Sequence, residues 1–315
     1  MMGRSHALLG AIGYASLEPL SRIDLPIDRG ILTAAWGVAF IAIVAMPASR
    51  GKTDSVVKKV GNSLYRGAYW VLQIAVVMVA LLLAAQWIGV LYPDVYPDNP
   101  IERFNWMVVA TGFALFPDMD EPNSTVARLF GPISRVISSA TRELAGGHRK
   151  ATHSWIMPLV GVGLVVLSQY NTIIAGIVMA IAYILAIRMV VPDKATGAAW
   201  IVMAVGFLCA WAAALGNFDL TPMILAVPAG IMLHDLGDWF TNTGIPFWWP
   251  HKKKYAARFF YTGGDTEVYF VRPLMFAGLM VIIVLWIIIP MGEWSETAQF
   301  SDMFKDLPSV KDLQQ

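Results

Sequence analysis

Apolar residues run in long blocks along this chain, separated by short polar segments. A membrane-spanning helix needs about 20 mostly apolar residues. Five blocks meet that length: Ile31–Ser49, Tyr69–Tyr92, Thr172–Val191, Gly197–Gly216 and Pro273–Pro290. Four weaker candidates, most of them shorter, are His6–Leu20, Asn105–Phe116, Trp155–Tyr170 and Thr221–Phe240. The pattern predicts an all-α, polytopic transmembrane helical bundle of about 7–9 membrane segments, some short or re-entrant. Residues 1–292 read as a single membrane-embedded domain, and residues 293–315 as a polar, acidic, loosely ordered tail.

Composition agrees with this reading. Of 315 residues, 57% are hydrophobic and 14% charged, with a mean hydropathy of +0.58. A soluble domain carries about a quarter charged residues. Disorder is excluded, and 23 Lys+Arg against 22 Asp+Glu argue against a basic nucleic-acid binder. The single Cys209 rules out an internal disulfide framework and a cysteine-rich metal site.

Basic residues set the orientation. The linker Arg50–Ala68, the segment Asp118–Ser154, the Asp193–Lys194 hairpin and the segment His251–Arg272 carry most of the Lys and Arg outside the spans. Pro93–Glu102 and the tail after Pro290 are acidic. The expected topology is that of an inner-membrane protein with its N-terminus in the cytoplasm and its C-terminus outside. A signal peptide at the start fits less well, because Glu18 and Pro19 spoil the cleavage region.

The candidate chemistry falls at the cytoplasmic helix ends. All five histidines, His6, His148, His153, His234 and His251, lie there in this topology. In GIMLHDLGDW (Gly230–Trp239), His234 and Asp238 are i and i+4 and share a helix face. Such a pair can ligate one divalent ion or form a buried hydrogen-bonded pair. In LFPDMDEPNS (Leu115–Ser124), Pro117 stops an apolar helix. Asp118 and Asp120 then repel each other unless a cation or an Arg lies between them. The bland reading there is a helix stop followed by an Asn123/Ser124 cap.

In GGHRKATHS (Gly146–Ser154), His148 and His153 are i and i+5. They converge only if the turn between them is non-helical or if one acts through the other. Arg149 and Lys150 between them suit a phosphate or lipid headgroups. In RFFYTGGDTEVYFVR (Arg258–Arg272), Glu267 is a base, a ligand or a solvated loop acid. Arg272 is a further phosphate partner. His251 heads a basic HKKK run and reads as interfacial.

His6, Asp118, Asp120, His148, His153, His234 and Asp238 thus gather at one level as candidate ligands. Nitrogen and oxygen donors without thiolates suit zinc, manganese or iron. Carboxylates allow one ion or a bridged pair, a device for hydrolysing phosphoesters. No serine-esterase elbow and no P-loop is present.

These blocks, taken in order, resemble the YdjM-type family of LexA-regulated, membrane-bound, predicted metal-dependent hydrolases. The matching pieces are HALLG from His6, FPDMDEPNS from Phe116 and HRKATHS from His148. They continue with GIMLHDLGD from Gly230, TNTGIP from Thr241, and Trp249-Pro250. The long linker Arg50–Ala68, the longer segment between the Asp and His blocks and the acidic tail depart from the pattern. The order of residues is also similar to that of zinc-dependent phospholipase C and the single-strand-specific zinc nucleases. That similarity implies that Asp118 bridges two metals and that His234 and Asp238 complete one site. It also implies that Asp120 is a second ligand or an orienting group, and that His6 serves a further metal position.

The expected function is metal-dependent hydrolysis of a phosphoester at lipid-headgroup level. Glu267, Asp120 and Arg149 are the catalytic candidates, and Lys150 and Arg272 the substrate-binding ones. The expected partners are the lipid bilayer and a phosphate-containing small molecule or lipid, with no nucleic acid. Two rivals are a scaffold or regulator with a structural His/Asp cluster and a transporter. Clustering at one face rather than at the midplane disfavours the transporter.

Overall fold

The computed structural model describes residues 3–23, 28–45, 56–92, 95–124, 126–127, 132–190 and 219–291. These residues are helical throughout, apart from loops and two isolated bridges, Thr241 with Phe260 and Ile245 with Tyr255. By contacts the chain forms two compact units, residues 1–15 with 94–315, and residues 16–93.

The helices follow the apolar blocks. α1 is Gly3–Ser21, α2 Arg29–Ala45, α3 Val56–Leu91, α4 Pro100–Phe113 and α5 Pro132–Leu144. α6 is Ile156–Tyr170, α7 Thr172–Val190 and α8 Met223–Trp239. α9 is Arg272–Ile283, continued at both ends by wider π-type turns, Thr266–Val271 and Val284–Ile288. The block Gly197–Gly216, the Asp193–Lys194 hairpin, Cys209 and the tail 293–315 lie outside the described residues.

Two differences from the sequence pattern stand out. The basic linker Arg50–Ala68 is helical from Val56 onward and is continuous with the apolar block behind it. At 1.5 Å per residue this helix is about 54 Å long, well beyond a bilayer core of about 30 Å. Lys58, Lys59 and Arg66 therefore sit on a helical extension rather than in a loop, and Arg50 and Lys52 lie outside the described residues. The segment Asp118–Ser154 also contains a helix, α5.

Two described helices are long and apolar enough to cross a membrane, Thr172–Met189 and Thr266–Met291. Ala75–Leu91 and Ile156–Tyr170 are shorter and apolar. This is fewer than the 7–9 segments expected. The physical reason is visible in α4 and α8. α4 has 14 residues and buries Arg103 and Asn105, and at about 21 Å it is shorter than the bilayer core. α8 carries His234, Asp235 and Asp238.

α4 is the hub of the unit that holds the site, packing against both α7 and α8, and α6 packs on the same two helices. Glycine allows the close approaches. A Cβ on Gly112 would lie 2.1 Å from the Ala182 carbonyl oxygen, and one on Gly230 2.4 Å from that of Ala110. Small residues at helix contacts are the membrane device for bringing backbones together. Trp106, Phe113, Met179, Met223 and Ile231 fill the interior. By contrast, the Thr266–Met291 helix is only 11% buried. An apolar helix this exposed has no place in water and fits a lipid surround. In the other unit α2 packs on α3, and Gln86 Nε2 donates to the carbonyls of Leu20 and Ile23 at 2.9 and 2.8 Å.

Candidate metal centre

Four segments deliver the candidate ligands. α1 brings His6 in its first turns, and α8 brings His234 and Asp238 on one face, as the i, i+4 spacing requires. The tight 3₁₀ turn Phe116–Asp120, entered through Pro117 after α4, brings Asp118 and Asp120. The non-helical turn from Gly146, closed by a short 3₁₀ turn at Ala151–His153, brings His148 and His153. Because this turn is not helical, the i, i+5 histidines converge, with ring centroids 5.3 Å apart at 86°.

The rings of His6 and His234 stack at 3.7 Å and 13°. His6 Nε2 lies 3.3 Å from Asp238 Oδ1, and neither ring nitrogen of His6 makes a hydrogen bond. His153 Nε2 lies 3.1 Å from His234 Nε2 and 3.5 Å from Asp238 Oδ2. Asp118 Oδ1 stands 3.8 Å from both of those imidazole nitrogens. The imidazole of His153 also lies between the two aspartates of the turn, with Nδ1 3.7 Å from Asp120 Oδ2. His6, His153, His234, Asp120 and Asp238 are fully buried. The Asp118 and His148 side chains, 18% and 27% exposed, mark the open side.

The backbone fixes the tautomers. α4 ends at Phe113 and leaves carbonyls without helical partners. One of them, on Ala114, lies 2.8 Å from His234 Nδ1. A carbonyl only accepts, so Nδ1 carries the proton and Nε2 of neutral His234 presents a lone pair. His153 Nδ1 lies 3.1 Å from the Thr152 hydroxyl. That hydroxyl donates its one proton to Asp120 Oδ2 in a short hydrogen bond. His153 Nδ1 is therefore also a donor, and its Nε2 faces that of His234. Two such nitrogens at 3.1 Å require a shared proton or a cation between them.

Asp120 is the anchor of the turn. It pairs with His148 Nδ1 at 2.7 Å and accepts the backbone N–H of Arg149 at 3.1 Å. Arg149 holds a left-handed backbone, φ 54°, a strained state for a non-glycine residue and typical of functional sites. Its buried guanidinium donates through Nη2 to Asp238 Oδ1 at 2.9 Å, and its Nε makes no hydrogen bond. Burial opposes ionisation of Asp118, but positive charge at the imidazole cluster, His234 foremost, would outweigh it and hold the carboxyl well below the usual range. Burial would lower the His148 pKa, and Asp120 outweighs it and raises it.

Three sets of ligand atoms lie within 4.8 Å of one another: His6, His234 and Asp238; Asp118, His153 and His234; Asp120, His148 and His153. The first and third share no residue, so together they can hold two ions. The middle set shares a histidine with each of the others and suits a single ion. Asp118, Asp120 and Asp238 against Arg149 leave two negative charges in a largely buried site, which a divalent ion would neutralise.

The remaining candidates belong to none of these sets. Glu267 is fully buried, with Oε2 accepting from the Gly263 N–H at 2.8 Å. Arg272 donates to Ser5, next to His6, at 3.4 Å. Lys150 and His251 are exposed. The sequence reading missed Thr152 and the Ala114 carbonyl. Arg149, a candidate catalytic residue and phosphate partner, pairs through Nη2 with Asp238.

A family model, YdjM inner membrane protein, matches residues 69–191. The YdjM-type resemblance is thus shown over this stretch, which carries Asp118, Asp120, His148 and His153. His6, His234 and Asp238 lie outside it and join the cluster in space. The family's inner-membrane name and the two long apolar helices together support a membrane location. No curated protein and no solved structure matches the chain.

Proposed function

We propose that this chain is a membrane-bound, metal-dependent hydrolase of phosphoesters, with its site at the cytoplasmic membrane face. The observation that supports it most is the pair of imidazole Nε2 atoms 3.1 Å apart, both with Nδ1 committed as donor. Such a pair ringed by carboxylates suits zinc, with manganese or iron as alternatives. The full reading includes about 7–9 membrane segments with the N-terminus inside and the C-terminus outside, as the charge pattern implies.

His153 and His234, through their facing Nε2 atoms, would hold one ion with Asp118; a two-ion site would instead use His6, His234 and Asp238 for one ion and Asp120, His148 and His153 for the other. A bound divalent ion of this kind would activate water and clamp a phosphoester for in-line displacement. Asp120 has both oxygens committed, which suits an orienting role better than that of a base. Asp118 and His148, on the open side of the cluster, would face incoming water. The uncommitted Nε–H of Arg149 offers a donor to a phosphate oxygen, with Lys150 and Arg272 as outer partners.

The test begins with metal content. The protein is purified in mild detergent without chelators, beside a His234→Ala/Asp238→Ala variant, and both are measured by elemental mass spectrometry. One or two equivalents in the wild type, lost in the variant, are expected, followed by turnover in a phosphodiester and phospholipid panel. Absence of metal from both folded proteins after add-back would overturn the reading. The buried Arg149–Asp238 pair favours a second reading, a structural cluster in a scaffold. It is selected if metal removal unfolds the protein and no substrate is turned over.

A further inference from the structure

α5 is built the wrong way round for a helix of a water-soluble domain. An amphipathic helix normally turns its apolar stripe to the core. Here the residues turned inward are Ser134 and Ser138, and Ser134 Oγ donates to the Ala127 carbonyl at 2.7 Å. The apolar stripe Ile133, Val136, Ile137, Ala140 and Leu144 keeps helical spacing and faces outward. Ile133, Val136 and Leu144 are 68%, 69% and 87% exposed.

We propose that α5 is an in-plane helix of the bilayer interface, its Ile133–Leu144 stripe resting in the boundary between headgroups and acyl chains. Its 13 residues reach about 20 Å, too short to span a core of about 30 Å, so it lies flat. Arg135 and Arg142 are exposed on the face opposite the stripe, the division between apolar and charged faces that an interfacial helix carries. The exposed Thr266–Met291 helix of the same unit supplies the membrane context. α5 packs on the turn Phe116–Asp120, and Arg142 pairs with Glu121 at 3.5 Å. The half-open Asp118 side of the cluster is thereby held next to the interface. The inference rests on the membrane location and not on hydrolysis, and its test involves no catalysis.

The full chain is prepared in a Cys209→Ser background with single substitutions Ile137→Cys, Leu144→Cys, Arg135→Cys or Ser139→Cys. Each is spin-labelled and placed in vesicles of phosphatidylcholine and phosphatidylglycerol. Positions 137 and 144 should be open to oxygen and closed to a water-soluble nickel chelate, and positions 135 and 139 the reverse. Equal access of the chelate to all four would overturn the proposal. So would dipolar broadening at 137 and 144 that disappears on dilution with unlabelled protein, because a second copy would then cover the stripe.

Discussion

Thr152 shows how much one neutral side chain carries here. Its hydroxyl donates to Asp120 and accepts from His153 Nδ1, so it sets the tautomer of a candidate ligand from outside the ligand set. Outer-shell partners of this kind are worth about 10–100-fold in metal affinity. Thr152→Val should lower affinity by that order in a competitive titration and leave the far-ultraviolet circular dichroism unchanged; unchanged affinity would remove Thr152 from the site. His148 gives a pH prediction whose sign differs between the apo and loaded protein. Asp120 raises its pKa above the ordinary value, so in the apo protein the pair stabilises fully below about pH 6.5 and the effect fades as pH rises through the raised value. In chelator, His148→Ala should therefore lower the melting temperature more at acid than at alkaline pH. Ligation needs neutral imidazoles, so metal affinity must run the other way and weaken as pH falls.

At the scale of elements, α4 and α8 hold the site together through glycine. Gly230→Ala would place a methyl group 2.4 Å from the Ala110 carbonyl oxygen, and backbone cannot step aside cheaply. A loss of about 1–3 kcal/mol, read as a lower melting temperature in detergent, is expected. Weaker metal binding should accompany it, because α8 carries His234 and Asp238. Gly163→Ala, with nothing within 4 Å, is the control and should change neither. The helices themselves were legible in the sequence: α6, α7 and α8 begin and end within a few residues of their apolar blocks, because burial in a bilayer or core needs long uninterrupted runs. The seven ligand candidates were legible for the same reason, being ionisable groups at the edges of apolar runs. α5 has no long apolar block to mark it, although Ile133, Val136, Ile137, Ala140 and Leu144 carry a helical period. Thr152 and the Ala114 carbonyl left no trace, since a hydroxyl and a backbone oxygen acquire their roles only when the chain brings them to an imidazole. The Arg149–Asp238 pair joins residues far apart in the chain, and no local spacing encodes it.

Across the whole molecule, the candidate ligands link segments far apart in sequence, and all of them fall in one of the two compact units. His6 comes from α1, Asp118 and Asp120 from the turn after α4, His148 and His153 from the loop before α6, and His234 and Asp238 from α8. An ion held by Asp118, His153 and His234 would cross-link the turn after α4, the loop before α6 and α8, and one held by His6, His234 and Asp238 would tie α1 to α8; binding to the folded form alone adds stability that grows with the logarithm of ligand concentration. Without the ion, the carboxylates and the facing imidazoles are left to protons and Arg149. Chelation should therefore loosen this unit selectively. Hydrogen exchange in detergent should show lost amide protection in the first turns of α1, at the C-terminal end of α4 and in α8, restored on adding zinc. α2 and α3, in the unit of residues 16–93, hold none of the ligand sets and should exchange at the same rate throughout. Uniform loss across both units would mean global destabilisation by the chelator. No change anywhere, with metal shown to have left, would mean that the cluster does not hold the fold together; the proposed metal would then serve chemistry alone.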